Sequence, residues 1–211
     1  IEAAKNKGYQ VLVFDSQLDA HFVNLLESKF ENSTFARVDA DSIDNLIQKD
    51  DKQKPVLKEG QEKDLGYAFE AVLPEGAHYQ VQVDNLGATA APIVITQSEF
   101  MRRYREMSAL NGGLNFYGSM PESYTITLNY ENPIMKGIID TMEGDTACKV
   151  ADIKGENDEE KTAARKAIME EFAKGNDLMK QTVDLALLSN NMLKGKELHA
   201  FIQRSLDLLK K

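Results

Sequence analysis

Tryptophan is absent from the 211-residue sequence, cysteine occurs once and histidine three times. The single thiol, Cys148, cannot close an internal disulfide, so a reducing, cytoplasmic home is expected. His21, His78 and His199 are scattered, with no CxxC pair and no HExxH helix, and no metal site is expected. Neither GxxxxGK[ST] nor GxGxxG occurs, so no loop is built to cradle a phosphate, and no GxSxG surrounds a serine. Long apolar runs are missing too: none approaches the roughly 20 residues that span a bilayer, and no membrane partner is expected. Basic charge is short, with 25 Lys and Arg against 34 Asp and Glu, a net charge of -9. An acidic chain makes a poor partner for nucleic acid.

What is present is ordinary for a globular protein, 42% hydrophobic and 28% charged. Ile1 to Lys5 reads as the tail of a helix ended by Gly8, and a piece of a longer polypeptide is expected. Tyr9 to Phe14 is a nearly continuous apolar run, the pattern of a strand covered on both faces. Asp15 or Ser16 is placed to cap the following helix, with Asp19 three residues beyond Ser16; that helix carries Leu18, Phe22, Leu25 and Leu26. A short strand at Thr34 to Val38 completes a partial α/β subdomain over residues 1–47. Charged residues with Pro55 and Gly60 mark a linker over 48–63, and a second domain is expected over 64–211.

In that domain a helix is predicted at Leu65 to Leu73, a turn at Pro74 to Gly76, and strands at Tyr79 to Val83, Ala91 to Thr96 and Tyr124 to Tyr130. A helix after Gln97 or Ser98 carries Phe100, Met101, Tyr104, Met107 and Leu110 on one side. Asn132-Pro133 leads into a short helix at Ile134 to Ile139, and the acidic, glycine-punctuated stretch Glu143 to Glu160 reads as a mobile loop. Glu160 to Lys174 reads as a helix with Ala164, Ala167, Ile168 and Phe172 inward. The fold class is α+β, a partial α/β subdomain followed by a mixed α/β domain.

The chain closes on two amphipathic helices in a hairpin broken at Gly195. Met179, Val183, Ala186 and Leu187 share one face of the first; Leu178, Leu185, Leu188, Met192 and Leu193 widen it. Leu198, Phe201, Ile202, Leu206 and Leu209 repeat at helical spacing on the second. So much apolar surface needs a neighbour. The hairpin can pack on its own chain, or pair with a second copy in a four-helix bundle. The dimer reading places Met179, Val183, Leu187, Leu188, Met192, Leu198, Phe201, Ile202, Leu206 and Leu209 at the interface.

Asp15, at the carboxyl end of the apolar run, resembles the nucleophile of haloacid-dehalogenase-type phosphotransferases, but the second Asp of that motif is Gln17 here. A small phosphotransferase with an acidic site at Asp15 and Asp19 is the alternative function.

Lys7-Gly-Tyr-Gln-Val-Leu-Val-Phe-Asp15 with Leu18-Asp19 resembles a stretch near the end of the middle domain of heat-shock protein 90 chaperones. Ala91-Pro92-Ile-Val followed by Phe100-Met101-Arg102-Arg103 is similar to the strand and amphipathic helix of their carboxy-terminal domain. Leu128-Asn129, Asn132-Pro133 and Met135-Lys136 resemble a further family motif, and the hairpin matches the dimerisation helices. The resemblance, closest to the bacterial branch, covers nearly the whole chain. It implies a homodimer that offers apolar surface to unfolded clients, at Phe22 beside His21 and at Met101, Tyr104, Met107 and Leu110. The family's ATP and magnesium site lies upstream of the matched stretch, so no cofactor and no catalysis are implied for this chain. It ends Leu209-Lys-Lys rather than in the acidic tail that recruits helical-repeat cochaperones in eukaryotic members. Residues 143–172 look like an insertion relative to the family.

Overall fold

The computed structural model describes residues 1, 4–5, 8–16, 19–30, 35, 37–38, 57–58, 60–97, 123–154, 157–208 and 210, the side chains of 20 and 208 excepted. The chain divides into two compact units, Ile1–Asp51 with Thr96–Phe116, and Lys52–Ile95 with Tyr117–Lys211. Six helices and a small three-stranded sheet among the described residues make the fold α+β. Of the expected strand at 34–38, Phe35, Arg37 and Val38 are described and none of them is in a strand; most of the linker at 48–63 and all of the helix after Gln97 lie outside the described residues.

In the first unit, α1 (Asp19–Lys29) begins as its sequence predicts, with the Ser16 N–H donating to the Asp19 carboxylate at 2.7 Å. The preceding turn of helix closes at Gly8, whose φ of 82° lets the Gly8 and Tyr9 N–H groups reach the carbonyls of Lys5 and Ala4. The predicted strand at Tyr9 to Phe14 does not form: these residues belong to no ladder, and Leu12, Val13 and Phe14 are exposed. An apolar run states that burial is favourable but does not supply the adjacent strand that a ladder needs.

The second unit is built on β1 (His78–Asp84), β2 (Ile93–Thr96) and β3 (Ser123–Asn129), in the order β1-β3-β2. β1 and β3 run parallel, with His78 opposite Ser123 and Asp84 opposite Asn129. α2 (Gln61–Glu70) enters four residues earlier than predicted, with the Gln61 side-chain carbonyl accepting from the Lys58 N–H, and buries Leu65, Ala68 and Phe69. Its buried Asp64 is held by Arg165 through two hydrogen bonds of 2.5 and 2.7 Å.

α3 (Pro133–Ala151) is far longer than the predicted short helix and takes in the first half of the expected acidic loop. Met135, Ile138, Ile139, Met142 and Thr146 bury one stripe of it, and the acidic residues and Gly144 lie on the other side. Acidic composition there marks a wet helix face, not a break. α4 (Asp158–Gly175) starts at an Asn157 cap and buries Met169 and Ala173; Ala167, predicted inward, is exposed. α4 packs on α2 and α3. Four of the eight methionines, Met135, Met142, Met169 and Met179, fill the core beside Phe69, Ile126 and Leu128.

The family-like motif after β3 has a plain structural job. Asn129 is fully buried: its amide nitrogen donates to the carbonyls of Gly87 (2.9 Å) and Ala91 (3.2 Å), and its oxygen accepts from the Leu86 N–H (3.1 Å). Asn132 caps α3 by accepting from the Ile134 N–H and donates to the Ala90 carbonyl; Pro133 sits at the first helical position. Together they pin the β1–β2 connection to the start of α3.

α5 (Asp177–Ser189) and α6 (Gly195–Leu208) form the terminal hairpin. The break falls at Asn190 and Asn191 rather than at Gly195. Asn191 adopts φ 57°, the Asn191 N–H reaches the Leu188 carbonyl and the Met192 N–H the Leu187 carbonyl. Asparagine replaces glycine in the left-handed position of a Schellman closure.

Candidate self-association surface

The hairpin has two apolar sides with opposite fates. Met179, Val183, Ala186 and Leu187 of α5 are buried in the chain's own core, with Leu193 beside them. Met192, Leu198 and Phe201 pack against that core while half-buried. On the other side Leu178, Leu185 and Leu188 of α5 and Ile202 and Leu206 of α6 are 36–52% exposed. Of the ten residues expected at an interface, the structure therefore sets Met179, Val183 and Leu187 inside the chain and keeps Leu188, Ile202 and Leu206 on the surface. Leu209 lies outside the described residues. Leu178 and Leu185, which widen the stripe in the sequence and are not among those ten, also lie on this surface. Periodicity finds a face, but a helix with two apolar faces does not say which one turns inward.

Polar pairs hold α5 against α6 beneath this surface. The Gln181 amide donates to the Ser205 hydroxyl at 2.5 Å, and Ser205 donates to the Phe201 carbonyl. Arg204 pairs with Asp184. Burial pushes the Asp184 carboxyl above the usual carboxylate range; Arg204 opposes that shift and Glu197 adds to it. Helical spacing of apolar residues marks the faces of α5 and α6 and carries no signal for either pair.

The other expected residues fall elsewhere. Phe22 is exposed on α1, beside exposed His21, in the first unit. Met101, Tyr104, Met107 and Leu110 lie outside the described residues. Asp15 is exposed, and Asp19 is engaged as the cap of its own helix. Among the described residues no group of three or more His, Cys, Asp or Glu side chains could hold a metal ion, and no helix is long and apolar enough to cross a membrane.

Known proteins resemble the chain over nearly its whole length. It is 37% identical to the chaperone protein HtpG of Bacteroides fragilis, over 99% of this chain and 36% of that protein. HtpG of Bacteroides thetaiotaomicron and of Porphyromonas gingivalis match at the same identity and coverage. No family model matches. The chain belongs to the heat-shock protein 90 chaperone family, on the side of its bacterial member. It spans about a third of the length of the curated relatives it matches. The alignments run over 247 positions against a chain of 211 residues, so across the matched region the relatives carry more residues than this chain does. The net difference in length is opposite in sense to the insertion expected at 143–172, a segment that α3 and α4 largely fill.

Proposed function

We propose that this chain corresponds to the end of the middle domain and the carboxy-terminal domain of a chaperone of this family. It pairs two copies through the terminal hairpin and presents apolar surface to unfolded clients in the cytoplasm. ATP binding and hydrolysis belong to the remainder of the full-length protein, and this stretch works without a cofactor.

The observation that carries the reading is the exposed stripe Leu178, Leu185, Leu188, Ile202 and Leu206 on the hairpin. Full burial of one such side chain stabilises by roughly 1.5–3 kcal/mol. With about half of each already covered, five of them contribute on the order of 5 kcal/mol per chain. Two chains bring about 10 kcal/mol, which offsets an association cost of roughly 4–15 kcal/mol.

The test is light scattering after gel filtration at micromolar concentration. The chain is expected at twice its mass, and Leu185→Glu or Ile202→Glu is expected at the single-chain mass with the circular dichroism unchanged. A native chain that elutes as a single copy would overturn the reading. Client holding is read separately, as suppression of aggregation of an unfolded protein, with Met101→Ser and Met107→Ser expected to weaken it and leave the dimer intact.

A further inference from the structure

The two polar pairs in the seam of the hairpin are poor stability devices. The Gln181 amide meets the Ser205 hydroxyl at 2.5 Å, and Asp184 meets Arg204. The ion pair is largely withdrawn from water, with the Asp184 side chain 18% and that of Arg204 26% exposed. Each pair also leaves one buried atom without a hydrogen-bond partner among the described residues: the side-chain oxygen of Gln181 and the Nε of Arg204. Such atoms give up their hydration and gain nothing in return. Apolar side chains in place of a pair like Asp184–Arg204 are often neutral or stabilising. What the pairs contribute is therefore something other than stability.

The apolar residues of the hairpin leave one thing undecided, the register of α6 along α5. Leu198, Ile202 and Leu206 of α6 recur every four residues. A slide of about one helical turn, roughly 5–6 Å, therefore sets one aliphatic side chain where another had been. The polar pairs do not recur. Arg204 is the one arginine of residues 176–211, and Asp184 is the one carboxylate of α5 beyond its first turn. With Asp184 level with Arg204 in an antiparallel hairpin, a four-residue slide sets Arg204 level with Lys180 or with Leu188. Either displacement strands both charges in the seam.

Register also decides whether the exposed stripe is one surface. Leu178, Leu185 and Leu188 come from α5, and Ile202 and Leu206 from α6. A two-fold partner presents the same patch, so a displaced α6 spoils the match on both copies at once. A single polar position fixes register and partner number in coiled coils by the same means, at a cost in stability.

We propose that the Asp184–Arg204 pair, supported by Gln181–Ser205, sets the register of α6 on α5 and thereby makes the hairpin surface specific for one second copy. This rests on the reading of the hairpin as the self-association surface. Asp184 and Arg204 are positioning residues: they lie beneath that surface and act through the leucines and isoleucine above them.

The test reads a distance within one chain, in a Cys148→Ser background. Spin labels are placed at Asp177→Cys and Lys196→Cys, two exposed positions outside the seam, and labelled chain is diluted in unlabelled chain. The native seam is expected to give one narrow distance. Asp184→Leu with Arg204→Leu is expected to keep or raise the urea midpoint, to add a second distance displaced by about 5 Å, and to lose the sharp two-chain mass in light scattering. Reversing the pair, Asp184→Arg with Arg204→Asp, is expected to restore the single distance and the mass. A single unshifted distance in the apolar variant, a large fall in its urea midpoint, or two distances in the reversed variant overturns the proposal. A native chain at the single-chain mass overturns the pairing instead, and the distance still decides the register.

Discussion

Asn129→Asp is a one-atom test of what pins the second unit together. The amide nitrogen of Asn129 donates to the Gly87 and Ala91 carbonyls at 2.9 and 3.2 Å and lies 3.4 Å from that of Ala90, in a fully buried site. Aspartate has the same shape but puts an oxygen among those three carbonyl oxygens. Protonated, it still donates once, and the loss of the second bond with an unsatisfied carbonyl costs about 2 kcal/mol. Ionised, it is a buried anion facing acceptors, so its folded pKa rises above the ordinary value of about 3.9. The native state then keeps a proton that the unfolded chain releases, and stability falls as pH rises from about 4 to the folded pKa. The slope is about 1.4 kcal/mol per pH unit. Urea denaturation followed by circular dichroism should show a deficit near 2 kcal/mol at pH 4, growing to about 4–5 kcal/mol at pH 6. A deficit below about 1 kcal/mol, or one that does not change with pH, refutes the role assigned to this side chain.

Arg165→Met strips the partner from buried Asp64; with Arg165 itself about one-third exposed, the cost expected in urea denaturation is about 2–3 kcal/mol, below the full buried-pair figure. Adding Asp64→Asn should recover more than half of it, and no recovery would show that the loss is one of packing. Asn191→Val forces a branched side chain into φ 57° and should cost about 1–2 kcal/mol, whereas Asn191→Gly should be neutral or slightly stabilising by thermal melting. For Asp184, burial raises the folded carboxyl, so the native chain loses stability as pH rises from the ordinary carboxylate range through the raised value. Asp184→Asn removes that loss, and its stability relative to the native chain should improve over the same window. A gap that moves the other way would mean that the attraction of Arg204 outweighs burial.

The elements that periodicity and punctuation mark unambiguously were legible in the sequence. β3 stands within one residue of its prediction because Tyr124 to Tyr130 is rich in β-branched and aromatic residues. Gly8 marks its helix end in the sequence as in the structure, since glycine announces a positive φ. Asn191 makes the same closure with a weaker signal than the nearby Gly195, since asparagine only sometimes takes a positive φ. The acidic stretch after Met142 has the composition of a loop, and the spacing of Met142 and Thr146, which continues the stripe of Ile138 and Ile139, is the weaker signal that the structure follows. The apolar run at Tyr9 to Phe14 failed for a different reason: a strand is a relation between segments, and one segment does not contain it. For the hairpin, the sequence showed that two apolar faces exist. Deciding that Leu187 points in and Leu185 out took the packing of α5 on the core.

The order β1-β3-β2 also constrains how this unit is made. The central strand is the last of the three to be synthesised, with Ser123 coming 45 residues after its partner His78. At roughly 5–20 residues per second on the ribosome, the two outer strands wait some seconds before Ile126 and Leu128 arrive to join them. Throughout that interval a nascent chain carries two aliphatic strands with no middle, and it is itself, for a moment, an incompletely folded polypeptide in need of protection.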